Sequence, residues 1–236
     1  MAACVDNSGA EIANKRSIES ALANHLAMKL SNPSLLSDTL SQLFLSIFNE
    51  DHGIRRDIRD DLKAIRERDP ACISYVHCLL NFKGFLACQA HRVAHKLWSQ
   101  GRTAMALLIQ SRVSKVFAVD ICVSTSVARI GRGILIDHAT GVRIEETAVI
   151  GDNVTILHNV TLVGTRKVSR DRHPKIDVGV FLGAWTKVLG NIGIGDEAKT
   201  GAGSVVLKEV HPRSTAVGNP SRLLLLGGKE RDQSCK

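Results

Sequence analysis

Aromatic side chains are scarce in this chain of 236 residues: they make up 4% of it, with one Tyr and two Trp. A core must therefore be filled with aliphatic Ile, Leu and Val, and a hydrophobic content of 44% is enough to build one. No run of eighteen apolar residues occurs, so no membrane-spanning helix is expected. The start, Met1-Ala-Ala-Cys-Val-Asp-Asn7, has no basic segment followed by an apolar run, and it lacks the Arg- and Ser-rich character of an organellar transit peptide. The expectation from these absences is a cytoplasmic protein. The six cysteines, Cys4, Cys72, Cys78, Cys88, Cys122 and Cys235, show neither a C-x-x-C pair nor zinc spacing. They read as buried reduced thiols, and no metal site is expected. The net charge is +8, but Arg55, Arg56, Arg59, Lys63, Arg66 and Arg68 alternate with Asp57, Asp60, Asp61 and Glu67. That pattern is a solvated helix face rather than a nucleic-acid surface. An anionic cosubstrate is a better use for the surplus positive charge.

What is present divides the chain by periodicity. From residue 17 to about 116 the apolar residues recur at three and four, as in Leu22, Leu26, Leu40, Leu43, Phe44 and Ile47. Breaks at Asn32-Pro33, Asp51-His-Gly53, Asp69-Pro70 and Gly101 predict about five helices. After about residue 125 the period becomes six: Ile130, Ile136, Val142, Ala148, Val154 and Val160 fall in one frame, with Ile144, Ile150, Ile156 and Leu162 two positions later. A second run follows at Ile176, Leu182, Val188, Ile194, Thr200 and Val206. Gly183, Gly195 and Gly201 directly follow aliphatic or small members of that frame, where a corner would need an unhindered backbone. A six-residue repeat is the signature of a parallel β-helix whose coils stack on one another. The fold class is therefore α+β: an all-helical N-terminal domain (17–118) followed by a left-handed parallel β-helix (119–212). A disordered N-terminus (1–16) and a C-terminal tail (213–236) flank them. Val160 to Ile176 is one repeat plus ten residues, so a loop within 163–175 must leave the prism. It carries Arg166, Lys167, Arg170, Arg172 and His173 and is a candidate site.

Particular segments narrow the reading. Arg68-Asp-Pro-Ala71, Lys83-Gly-Phe85, Gln89-Ala-His-Arg-Val-Ala-His-Lys-Leu-Trp98, Val119-Asp120, Gly133-Ile-Leu-Ile-Asp-His-Ala-Thr-Gly141, Glu146-Thr-Ala-Val-Ile150, Asp171-Arg-His-Pro-Lys175 and Thr215-Ala-Val-Gly-Asn-Pro220 occur in order. Together they resemble the serine O-acetyltransferases, most closely the plant type. The repeats alone would say only acyltransferase or nucleotidyltransferase. The resemblance implies transfer of an acetyl group from acetyl-CoA to L-serine, in cysteine biosynthesis. Acetyl-CoA would be a cosubstrate, with no permanently bound cofactor.

The same resemblance implies the roles of particular residues. His138 would be the general base, as an imidazole suits that task near neutral pH, and Asp120 would support it. Asp69 and Asp137 match positions that bind serine's ammonium. Arg172 matches the residue that holds its carboxylate, and His173 matches a second active-site histidine. Gly164, Lys167, Ala184 and Ala202 match positions along CoA, which in the family lies outside the prism between two subunits. A homotrimer, or a dimer of trimers, is implied.

The chain also departs from that family. Asp120 and His138 are 18 residues apart, where the family spacing is 15. Glu145, Val163, Arg166, Arg170 and Trp185 stand where the family has Gly or, at Trp185, a small residue. If the residue at 145 has φ > 0, Glu145 would strain a corner by about 1–2 kcal/mol. The family's tail ends in Ile and enters the active site of O-acetylserine sulfhydrylase. This chain ends at Lys236, so the resemblance does not carry that partnership over. Two other readings stay open: a catalytically impaired subunit of hetero-oligomers, and a hexapeptide acyltransferase with a different acceptor. His158 and His211 carry no such match and read as ordinary surface or core histidines.

Overall fold

The structure is a computed structural model and describes residues 17–123, 129–165 and 171–224. By its packing the chain forms two units, residues 1–55 and 56–236, dividing inside a helix. The first unit holds α1 (Ile18–Leu30) and α2 (Ser37–Glu50), which pack on each other. Ser17 caps α1, its Oγ accepting the Ser20 N–H at 3.2 Å. The buried faces carry Leu22 and Leu26 on one helix and Leu40, Phe44 and Phe48 on the other, as the three-and-four spacing requires.

α3 (His52–Arg68) runs into the second unit, where α4 (Tyr75–Asn81), α5 (Lys83–Ser99) and α6 (Thr103–Phe117) follow. Among the described residues six helices thus stand where about five were expected. The extra break falls at Phe82, which closes one helix and opens the next without a Pro or Gly to announce it. Ala118 adopts the left-handed conformation (φ 55°) and turns the chain out of α6 into the first strand.

The rest is a parallel β-solenoid. Its first coil is β1 (Val119–Ile121), β2 (Arg129–Ile130) and β3 (Leu135–Ile136); its second is β4 (Val142–Ile144), β5 (Val149–Ile150) and β6 (Thr155–Ile156). β7 (Thr161–Val163), β8 (Lys175–Ile176) and β9 (Phe181–Leu182) form the third, and β10 (Lys187–Leu189), β11 (Gly193–Ile194) and β12 (Lys199–Thr200) the fourth. β13 (Val205–Val206), β14 (Thr215–Val217) and β15 (Arg222–Leu224) close the fold. Three sheets result, in the orders β1-β4-β7-β10-β13, β2-β5-β8-β11 and β3-β6-β9-β12-β14-β15. The last sheet runs past residue 212, since β14 continues it in parallel and β15 folds back antiparallel. The expectations for 1–16 and for the end of the tail fall outside the described residues.

The register shows which frame stacks. Ile144, Leu162, Val188 and Val206 form one inward column, Ile130, Ile150, Ile176 and Ile194 a second, and Ile136, Ile156, Leu182, Thr200 and Ala216 a third. The frame is interrupted at several points, among them Ile121 to Ile130 (nine residues) and two that bear on the candidate site. Ile136 to Ile144 is eight residues where Ile156 to Leu162 is six, so the corner at 137–141 holds two extra residues. Leu162 to Ile176 is fourteen, one repeat plus eight, which corrects the loop excess of ten expected above. Gly183 follows the frame for a reason other than a left-handed turn: a Cβ there would lie 2.5 Å from the Thr200 carbonyl oxygen one coil on. Cys72, Cys78 and Cys88 are buried thiols, and burial pushes Cys88 up to about 12.

The first coil is fastened to α3 and α5. A Cβ on Gly84 would collide with the Ile136 carbonyl oxygen, so glycine lets α5 approach β3. Buried Asp61 accepts three hydrogen bonds at 2.8 Å, from the Ile134 N–H, Gln89 Nε2 and Arg92 Nη2. Arg92 also donates to the carbonyls of Ile130 (3.1 Å) and Gly131 (2.7 Å). On the same helix, burial pushes His91 down to about 3 and keeps it neutral. Asp61→Ala leaves the Arg92 guanidinium buried without its main partner and should cost about 3–5 kcal/mol in denaturant unfolding. A loss below about 1 kcal/mol would contradict this fastening.

Candidate active site

The candidate residues gather at two corners of the prism, on either side of the sheet face that carries β1 and β4. The first is the corner lengthened by two residues. His138 (φ 54°) and Ala139 (φ 56°) are both left-handed there, and the turn is pinned by Ala139 N–H to Asp137 O (2.6 Å) and Thr140 N–H to His138 O (2.7 Å). Consecutive left-handed non-glycine residues store strain, a feature that clusters at functional sites. The result is an imidazole lifted out of the prism, 79% exposed, with Nε2 3.8 Å from Asp137 Oδ1. Lys83 Nζ donates to Thr140 Oγ1 and ties this corner to α5.

Beneath it the shorter corners stack by main-chain bonds: Asn159 N–H to Thr140 O, Trp185 N–H to His158 O and Gly203 N–H to Ala184 O. His158, Ala184 and Ala202 therefore share one column down the edge of the prism. The His138 and His158 rings meet edge to face with centroids 6.1 Å apart. Trp185 meets His158 in the same way at 6.4 Å. His158 is thus more than the ordinary histidine that the sequence suggests. The signal that could have found it is its spacing of twenty from His138, the length of one coil here including the two extra residues.

The second corner joins β4 to β5 and meets the loop after β7. Arg172 Nη2 bonds Glu146 Oε1 at 2.5 Å. His173 is fully buried, with Nδ1 accepting the Thr147 N–H at 3.2 Å and Nε2 at 3.0 Å from Glu145 Oε2. Glu146 and Thr147 escape a reading of the sequence, because their pairing with the loop is visible only once β5 and β8 are in register. Glu145 has no positive φ, so the strain expected of it is absent. Trp185 does have one, at 64°, in a corner where Gly203 holds the matching position. A cavity of about 260 Å³ lies beside this corner, lined by Asp120, Cys122, Arg143, Glu145, Glu146 and Arg172 among others.

Asp120 pairs with Arg143 (Oδ2 to Nε, 3.6 Å), its register partner across β1 and β4, and among the described residues no hydrogen bond joins it to His138 of the same chain. Asp69 lies in the turn after α3, where its Oδ1 accepts the Ala71 N–H at 2.8 Å. Its neighbour Arg68 reaches the solenoid at Asn153 O and Thr155 Oγ1, both 2.8 Å. Gly164 packs against Arg172, whose Cγ would lie 2.8 Å from a Cβ there. Ala184 and Ala202 stand in the column below His138. Lys167 lies outside the described residues, as do Arg166, Arg170 and residues 124–128 after Asp120.

A family model described as the N-terminal region of serine acetyltransferase matches residues 4–90. Serine acetyltransferase 3, mitochondrial, of Arabidopsis thaliana is 60% identical over 95% of this chain and 56% of its own length. Serine acetyltransferase 1, chloroplastic, of the same plant is 62% identical over 94% of this chain and 69% of its own. The chain thus spans between about half and two thirds of the length of these curated relatives. Soybean serine acetyltransferase complexed with serine superposes with a TM-score of 0.86 at 60% identity, covering 91% of this chain and 87% of that one. The Brucella abortus enzyme in complex with coenzyme A gives 0.86 at 45% identity, covering 91% and 85%. The cytoplasmic expectation is overturned, because the two curated relatives are named as mitochondrial and chloroplastic enzymes. Among the described residues no helix is long and apolar enough to cross a membrane. With a six-helix segment, a hexapeptide solenoid and this likeness over nearly its whole length, the chain belongs to the serine acetyltransferase family.

Proposed function

We propose that the chain transfers the acetyl group of acetyl-CoA to the hydroxyl of L-serine, in a site built from two neighbouring protomers of a homotrimer. The observation that carries this is the division of the candidate residues. One corner presents an exposed base, His138, above a column of small residues, while the other presents anion-binding donors, Arg172 and His173. A threefold assembly would set the His138 corner of one protomer against the Arg172 corner of the next.

In that arrangement the serine carboxylate meets the Arg172 fork and its ammonium meets Asp137 and Asp69. His138 takes the hydroxyl proton as the oxygen attacks the thioester carbonyl. The new C–O bond forms, the C–S bond breaks, and the imidazolium returns the proton to the CoA thiolate. Asp120 of the neighbour supports the charged imidazolium. Ala184 and Ala202 leave room for CoA along the column, with Gly164 and Lys167 at the loop beside it. His158, edge-on to His138, would donate to the thioester oxygen as it gains charge.

The purified protein should release thiol from acetyl-CoA only when L-serine is present. His138→Ala should lower kcat by about 10²–10⁴-fold, and an unaltered rate would remove His138 from the role of base. Trp185 carries a second prediction. Its indole is 56% exposed and lies against His158, in the column along which CoA would run in this reading. Its left-handed backbone costs about 1–2 kcal/mol relative to glycine. Trp185→Gly should therefore lower KM for acetyl-CoA, leave kcat near its original value and raise Tm. An unchanged KM would show that the indole leaves the groove open.

A further inference from the structure

We infer that Glu145 is a built-in carboxylate occupying the anion-binding half of the acceptor site, and that it thereby sets how tightly an amino-acid acceptor binds; this rests on the reading of Arg172 and His173 just given. The tautomer of His173 comes first. The Thr147 backbone N–H points at Nδ1 from 3.2 Å, and the Thr147 hydroxyl, itself accepting the Arg172 N–H, lies 2.6 Å from the same nitrogen, so Nδ1 is the acceptor and the ring proton sits on Nε2. The ring is fully buried, and the partner of that Nε2 proton is Glu145 Oε2, 3.0 Å away. The Gly164 N–H is directed at the same oxygen from 3.3 Å. Two donors from different segments thus converge on one carboxylate oxygen, as they would on a bound anion.

The occupant is tethered rather than bound. Residue 145 has no positive φ, so its backbone conformation does not dictate which side chain stands there. Around the neighbouring cavity, Asp120, Glu145 and Glu146 supply three carboxylates against the guanidinium groups of Arg143 and Arg172. An incoming substrate carboxylate must either displace Glu145 from His173 and Gly164 or add a fourth negative charge. An acceptor without a carboxylate meets no such competition.

The test is calorimetric titration of L-serine and of L-serinamide into the full chain, as wild type, Glu145→Gly and Glu145→Gln, with serine-dependent thiol release measured on the same samples. Removing one charge-assisted competitor should tighten L-serine binding on the order of tenfold in Glu145→Gly. Glu145→Gln should fall between, and L-serinamide should bind all three alike. In turnover the gain should appear in KM for serine, with kcat changed less than about twofold. The proposal is overturned if the affinity ratio of serine to serinamide stays the same, or if both ligands shift together as a structural disturbance would make them. Glu145→Gln, which is isosteric, decides the same question if the glycine variant fails to fold. Failure of the acetyltransferase reading looks different: no thiol release from any variant, whatever the titrations show.

Discussion

Each coil of the solenoid is held only by the coils above and below it, and that constraint governs everything else. A three-strand coil encloses no core of its own, so its inward residues gain burial only by stacking on their counterparts one coil away. The columns Ile130-Ile150-Ile176-Ile194 and Ile144-Leu162-Val188-Val206 are the direct expression. A first coil has no predecessor to stack on. Here α5 takes that place, close against β3 through Gly84, with the Asp61–Arg92 pair binding α3, α5 and the corner between β2 and β3. A buried ion pair adds little stability compared with an apolar replacement, but it fixes which groups must meet.

The same constraint explains where chemistry can reside. Residues that keep the six-residue frame are committed to stacking, and those in excess are expelled. The two extra residues at 137–141 lift His138 outward on a strained turn. The eight extra residues between Leu162 and Ile176 carry Arg172 and His173 to the opposite corner. The irregularities of the repeat, rather than the repeat itself, mark the candidate site.

Much of the fold was legible because period six has few physical solutions, and every inward position from Ile136 to Val206 in the stacked frames is buried. The break at Phe82 was not legible, since an extended residue there, capping both helices, has no Pro or Gly to signal it. The loop excess was misjudged because Val160 and Leu162 are both aliphatic and both buried, and only strand register decides which of them stacks. Within the site, His138, Arg172 and His173 came from motifs; Glu146 and Thr147 lie in a quoted motif but show their role only through contacts with the loop, and His158 shows only as a spacing of twenty from His138. From the sequence Glu145 looked like the source of backbone strain, and Trp185 only like a bulky side chain where a small one is expected. Only Trp185 bears it, while Glu145 instead forms a contact with His173.

A site shared between protomers needs the base from one chain and the anion-binding donors from its neighbour. Separately purified His138→Ala and Arg172→Ala chains should each be nearly inactive. Unfolded together in equal amounts and refolded, they should regain on the order of a quarter of wild-type activity, because random assembly places an intact His138 corner beside an intact Arg172 corner at one interface in four. Activity no greater than the sum of the two parents would contradict a shared site and return all of the catalytic groups to a single chain.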